Sequence, residues 1–286
     1  MIYPATEGYY REIFGALLGS VVGTLGVERS RTYAVSERTT PEDLRRWLAQ
    51  QPPSSVITLG RQAYEDYLAT GSATRAVSGA LDLSPQLDPR AQGVSLSIAP
   101  ELFFDTLKKL APKVGRVFVV YDPSKNQWII DRARAVAGKY GLKITAFEAA
   151  DLPAATQHYR AILDQIRPDK DALWIPLDSA LLDEQAVLPV IIEQSWYRRL
   201  AVFSNSLVHA RLGALFALYP DLEKLGARLA ERALALDRNR HSAAPAIEPL
   251  RDVKRALNVH FARHLDVDPR RLSDEFDTYF PSPSPQ

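Results

Sequence analysis

Residues 117–128 read Val-Phe-Val-Val-Tyr-Asp-Pro-Ser-Lys-Asn-Gln-Trp. The first five are apolar without alternation, which is the pattern of a strand covered on both faces. The polar run Asp122-Pro123-Ser124-Lys125-Asn126 then ends the strand, and an amphipathic stretch over 127–140 predicts a helix. A doubly buried strand leading into a helix is the building unit of a parallel sheet with helices on both sides.

The same alternation extends outward in both directions. Strands are expected over 31–36, 55–60, 76–81, 94–97, 116–122, 143–148, 172–178, 201–206 and 214–219. Helices are expected over 41–50, 100–110, 127–140, 154–166, 184–197 and 221–236. Pro41 with Glu42-Asp43, and Pro220-Asp221, are helix start signals. Nine strands are too many for one compact nucleotide-type sheet, and a second series begins near Arg116. The Pro- and Asp-containing stretch 82–92, followed by a short strand, reads as a crossover between two similar lobes. The fold class expected is α/β, with two Rossmann-like lobes of parallel sheet. The tail Ser282-Pro283-Ser284-Pro285-Gln286 is low in complexity and is expected to be disordered.

Composition narrows the function classes. A chain of 286 residues can bury a substantial core, and 46% hydrophobic with 24% charged residues is ordinary for a globular protein. Thirty-five Lys and Arg against 34 Asp and Glu, with no basic stripe, give no electrostatic footprint for nucleic acid. Without cysteine there is no thiol chemistry, disulfide or cysteine-held metal, and the absence fits an oxidising compartment. The uncharged run 13–27 follows Glu7 and Glu12, contains four glycines and is too short for a bilayer span, so it is expected as a buried first helix. A leader, if the native protein has one, is expected to lie outside this sequence.

Motifs for chemistry are sparse. No dinucleotide fingerprint follows a strand, and neither a P-loop nor a Gly-x-Ser-x-Gly elbow occurs. His260 and His264 have metal-compatible spacing if helical, but the zincin glutamate is missing, which favours a solvated or capping pair. A Ser–His–Asp set has no local signal. No cofactor or metal is expected.

Polar residues recur instead at the C-terminal ends of the expected strands, where open parallel sheets bind ligands. They are Thr6 and Glu7, then Gly60, Arg61 and Gln62, then Asp122 and Asn126, then Asp178 and Ser179, then Ser204 and Asn205. Several precede helices, whose N–H groups and dipoles favour anions. Arg61 could fork a carboxylate, or pair with Glu65 one turn on. Asp122 and Asp178 could meet a cation, or cap helices. Trp128 could stack on a ligand or pack in the core. Tyr9 and Tyr219 complete the candidate set.

These segments resemble ABC-transporter solute-binding proteins of the type I periplasmic fold, including aromatic-amino-acid binders. Residues 117–128 are similar to that family's strand followed by Tyr-Asn/Asp-Pro-Ser, 173–179 to its strand ending in Pro-x-Asp, and 201–205 to its Pro-Val-Phe strand. Residues 213–225 and 257–267 are similar to its later Gly-Ala-Leu and closing Leu-Asn passages. Asp122, Arg61 and Tyr219-Pro220-Asp221 depart from the family pattern. The resemblance implies one lobe from 1–98 with 220–244 and a second from 99–219 with 245–281, joined by a multi-crossover hinge. It further implies a monomer that is not an enzyme, closing on an amino acid or related carboxylate. A membrane ABC permease is the implied partner, with a periplasmic or membrane-anchored extracytoplasmic location. In that picture Arg61 or its helix N–H groups hold a carboxylate, Asp178 or Asp122 an ammonium, and Trp128 or Tyr9 the side chain. A sensor module for a signalling partner and a hydrolase or transferase on a doubly wound fold are the alternatives. A transcription regulator is disfavoured, since no basic helix-turn-helix precedes the first lobe.

Overall fold

The computed structural model describes residues 1–85, 91–176, 178, 180–238, 247–269 and 274–281. The elements run β1 (Ile2–Pro4), α1 (Gly8–Leu25), β2 (Tyr33–Val35), α2 (Pro41–Gln50), β3 (Val56–Leu59), α3 (Arg61–Ala69), β4 (Ala76–Gly79), β5 (Gly93–Ile98) and α4 (Pro100–Leu110). They continue with β6 (Arg116–Tyr121), α5 (Pro123–Ala137), β7 (Lys143–Glu148), α6 (Leu152–Gln165), β8 (Asp171–Ile175), α7 (Val187–Tyr197), β9 (Ala201–Ser204), α8 (Leu207–Leu212) and β10 (Phe216–Pro220). Last come α9 (Leu222–Arg238), β11 (Ile247–Leu250), β12 (Val253–Asn258), α10 (Val259–His264) and β13 (Thr278–Phe280).

The chain forms two compact units. One comprises Met1–Ser97 with Pro220–Asp252, and the other Ile98–Tyr219 with Val253–Gln286. The sequence placed the last crossing at 244–245; it falls instead between Asp252 and Val253, because β11 joins the first sheet.

The first unit holds a six-stranded sheet in the order β11-β5-β4-β3-β1-β2. β1 pairs in parallel with β2 and with β3, and β3 with β4. β3 is buried throughout, as its apolar sequence requires. Leu44 and Leu48 of α2 pack on Ile2, Val35 and Val56. Thr40 and Asp43 start α2 with a reciprocal capping box. On the other face α1 lies close to α9, where the Gly226 backbone meets the Leu17 carbonyl with no room for a side chain.

The second unit holds seven strands in the order β13-β12-β10-β9-β8-β6-β7. β6 pairs in parallel with β7 and β8, β8 with β9, and β9 with β10. β8 is buried at every position, including Asp171 at its start. The Arg116 Nη2 lies 2.6 Å from the Asp171 Oδ2, and the Arg167 N–H and guanidinium also bond this carboxylate. Burial alone would raise the Asp171 pKa, but these bonds prevail and lower it to about 2. Phe118, Val120, Leu173 and Ile175 carry the core against α6 and α7.

The first helix departs from expectation. Only Leu17 and Val21 of α1 are buried, and Gly15, Gly19 and Gly23 face open space. The tail 282–286 lies outside the described residues.

Candidate functional site

Both sheets share one strand order. Leaving out the late strands, the first is 2-1-3-4-5 and the second repeats it as β7-β6-β8-β9-β10. In such an order the connections leave β1 and β3, or β6 and β8, to opposite sides, and a crevice opens beyond their C-terminal ends.

In the first unit the switch point is bordered by the loop after β1 and the turn after β3. Glu7 takes the N-cap position of α1 and Gly60 that of α3, and neither supplies a side-chain cap. Gly60 has φ +83°, and a Cβ there would stand 3.1 Å from Phe14, so the turn calls for glycine. Arg61 follows at the start of α3 but lies along its own helix, with its Nη1 3.8 Å from Glu65 Oε1 and both side chains exposed. The pairing with Glu65 is thus the arrangement seen. Gln62 and Thr6 are half-buried beside it, and Tyr9 is exposed.

In the second unit the switch point carries the denser chemistry. Asp122 caps α5: its Oδ1 accepts from the Ser124 N–H at 2.9 Å and the Ser124 hydroxyl at 2.7 Å. Burial disfavours its charge, yet the Ser124 bonds and the neighbouring Lys125 hold its pKa below the usual carboxylate range. Asp178, beyond β8, accepts the Ala180 N–H at 3.0 Å. Lys125 bridges the pair, its Nζ 3.3 Å from Asp122 Oδ2 and 3.3 Å from Asp178 Oδ1. Partial burial would lower the Lys125 pKa, but the two carboxylates outweigh it and the ammonium is held above its ordinary range.

Three buried polar atoms here have no hydrogen-bond partner among the described residues: Asp178 Oδ2, Asn126 Nδ2 and Trp128 Nε1. Asn126 is 3% exposed and the Asp178 side chain 6%. Leaving such a group unpaired costs about 1–3 kcal/mol. They comprise one acceptor and two donors.

The remaining candidates are engaged. Ser204 Oγ lies 2.7 Å from His209 Nδ1, and Asn205 Oδ1 accepts from the Trp174 indole at 3.3 Å. The Tyr219 hydroxyl sits 2.9 Å from Thr278 Oγ1. Ser179 lies outside the described residues. His264 stacks on Trp196 with centroids 4.0 Å apart and reaches the Trp196 carbonyl, which is the capping reading of the His260–His264 pair.

Three participants escaped the sequence reading. Lys125 was foreseeable in part, as an i,i+3 neighbour of Asp122, but Asp178 is 53 residues away and only the β6–β8 pairing joins them. His209 and Glu184 gave no local signal. A cavity of about 430 Å³ in the first unit, near Arg31, Trp47 and Val56, lies at the opposite, N-terminal end of the strands.

No family model matches the chain, and no curated protein matches its sequence. Solved structures do resemble it. A substrate-binding protein with adhesive properties from Clostridium difficile, ligand-free and open, gives a TM-score of 0.68 at 15% identity, covering 99% of this chain and 98% of that one. An ABC domain in complex with L-Trp from Streptococcus pneumonia gives 0.60 at 13% identity, covering 98% of each chain. A conserved domain protein from Vibrio cholerae gives 0.59 at 14% identity, covering 97% of this chain and 98% of that one. At such identities the likeness is one of fold, and the fold is that of type I periplasmic binding proteins.

Proposed function

We propose that the chain is the solute-binding component of an ABC importer, and that it captures a small polar ligand by hinge closure of its two units. The observation that carries this reading is the trio of unpartnered buried atoms beyond β6 and β8, Asp178 Oδ2, Asn126 Nδ2 and Trp128 Nε1. An amino acid or related carboxylate carries both a donor and an acceptor, the two kinds of group that these atoms call for. The uncapped starts of α1 and α3 supply N–H groups and a positive dipole end suited to a carboxylate. Likeness in fold to a structure holding L-Trp and to a named substrate-binding protein supports a binding role over a catalytic one.

The role implies an extracytoplasmic location, a membrane permease as partner, and action as a monomer. It needs no cofactor. Calorimetric screening of free amino acids and 2-hydroxy acids tests it: saturable heat from at least one is expected, with a matching rise in melting temperature. Well-folded, ligand-free protein that gives no heat with any of them contradicts it.

A further inference from the structure

At the second unit's strand-end edge the anionic corner already holds a cation of its own. Lys125 Nζ stands at 3.3 Å from one oxygen of each carboxylate, so Asp122 and Asp178 share a single ammonium. The other Asp122 oxygen is committed to Ser124, and Asp178 Oδ1 also takes the Ala180 N–H. What remains for a ligand is one acceptor, Asp178 Oδ2, which is buried and has no partner among the described residues.

We propose that Lys125 sets the ligand class of this edge, so that Asp178 Oδ2 takes an uncharged donor, a hydroxyl, in preference to a second ammonium. The inference rests on the ligand-binding role proposed above. An ammonium bonded to Asp178 Oδ2 would stand only about one carboxylate's width from the Lys125 Nζ. Like charges so close repel strongly where water is partly excluded. The cluster of two carboxylates and one ammonium carries a single net negative charge, which repays little of the cost of desolvating a second cation. A hydroxyl meets neither penalty, because it donates one neutral bond. Asn126 Nδ2 and Trp128 Nε1 remain as donors for the ligand's acceptor atoms, a carboxylate included. The selection is made by a repulsive element rather than by an added contact.

The test compares 2-hydroxy acids with the amino acids of the same skeleton: lactate with alanine, malate with aspartate, and 3-phenyllactate with phenylalanine. Affinities are measured by calorimetry for the unaltered protein and for Lys125→Met. For the pair that binds, the unaltered protein favours the hydroxy acid by about tenfold or more. Lys125→Met moves the ratio toward the amino acid by at least tenfold, and Lys125→Arg, which restores a cation, restores the hydroxy-acid preference. A ratio that favours the amino acid in the unaltered protein, or that Lys125→Met leaves in place, overturns the assignment of Lys125 while the binding role stands. If none of these pairs binds, the comparison moves to other pairs from the full screen, and absence of heat from every free amino acid and 2-hydroxy acid, with well-folded protein, overturns the binding role itself, and this inference with it.

Discussion

Ser204 Oγ lies 2.7 Å from His209 Nδ1, while the opposite ring nitrogen of His209 faces Glu184 Oε1 at 3.2 Å. The three have the composition of a nucleophile, base and acid, but the setting is that of a brace. Ser204 is 1% exposed, and its Oγ also accepts the Ser206 N–H at 2.8 Å. The set ties the end of β9 to the start of α8, beside Asn205.

Neutral imidazole suits this brace, since Nδ1 accepts from the Ser204 hydroxyl. Burial depresses the His209 pKa, and the Glu184 carboxylate only partly offsets it. A depressed histidine binds its proton more readily in the unfolded chain. Stability is therefore full above the unfolded value near 6.5 and is lost as pH falls below it toward the folded value. Urea unfolding between pH 7.5 and 5 is expected to show this slope, and His209→Gln to remove part of it. His209→Ala is expected to cost about 1–3 kcal/mol at neutral pH, since Ser204 and its neighbours lose a buried partner.

Asp171 gives a second, separate window. Its folded pKa of about 2 lies below the unfolded value, so its contribution is present above about pH 4 and lost as pH falls toward 2. Asp171→Asn keeps the shape and removes the charge held by Arg116 and Arg167. A loss of about 2 kcal/mol in urea unfolding at pH 7 is expected, with a flatter acid limb below pH 4.

The glycines of α1 and α9 separate space from propensity. Gly19 faces open space, so Gly19→Ala is expected to stabilise by about 0.5–1 kcal/mol through helix propensity alone. At Gly226 a Cβ would stand 2.8 Å from the Leu17 carbonyl oxygen, so Gly226→Ala is expected to destabilise by about 1–3 kcal/mol. Melting temperatures of the two variants, moving in opposite directions, check the α1–α9 contact.

Arg61 and Glu65 form an exposed pair at 3.8 Å, a geometry worth less than about 1 kcal/mol. Arg61→Ala is expected to leave the melting temperature nearly unchanged and to weaken a carboxylate ligand by no more than about threefold. A loss of tenfold or more in calorimetry would show that Arg61 leaves Glu65 to clamp the ligand.

Much of this architecture was readable before the structure. The bounds of α2 and α4 match those expected, because proline starts and amphipathic periods are local signals. The apolar run 117–121 fell on a strand buried at those positions for the same reason. What escaped was non-local or short. β1 has three residues, too few to show a period, yet it lies at the switch point of the first sheet. β12 alternates poorly, as Lys254 and Arg255 are adjacent within it, and β11 joins a sheet whose other strands lie far back in the chain. Of the site, the strand-end positions were legible, whereas the partners of each side chain were not. Arg61 looked pointed in sequence and lies along its own helix, while Lys125 looked ordinary and bridges two strand ends.

The central claim is that the edge beyond β6 and β8 holds the ligand through atoms that the protein leaves unpaired. The chain has four tryptophans, and the indole of Trp174 is bonded to Asn205 while that of Trp128 has no partner among the described residues. In ¹H–¹⁵N spectra, titration with a ligand found by calorimetry is expected to move the Trp128 indole signal and the Asn126 side-chain amide signals downfield, as each gains an acceptor. A ligand that saturates the protein while both sets of signals stay in place would contradict the claim.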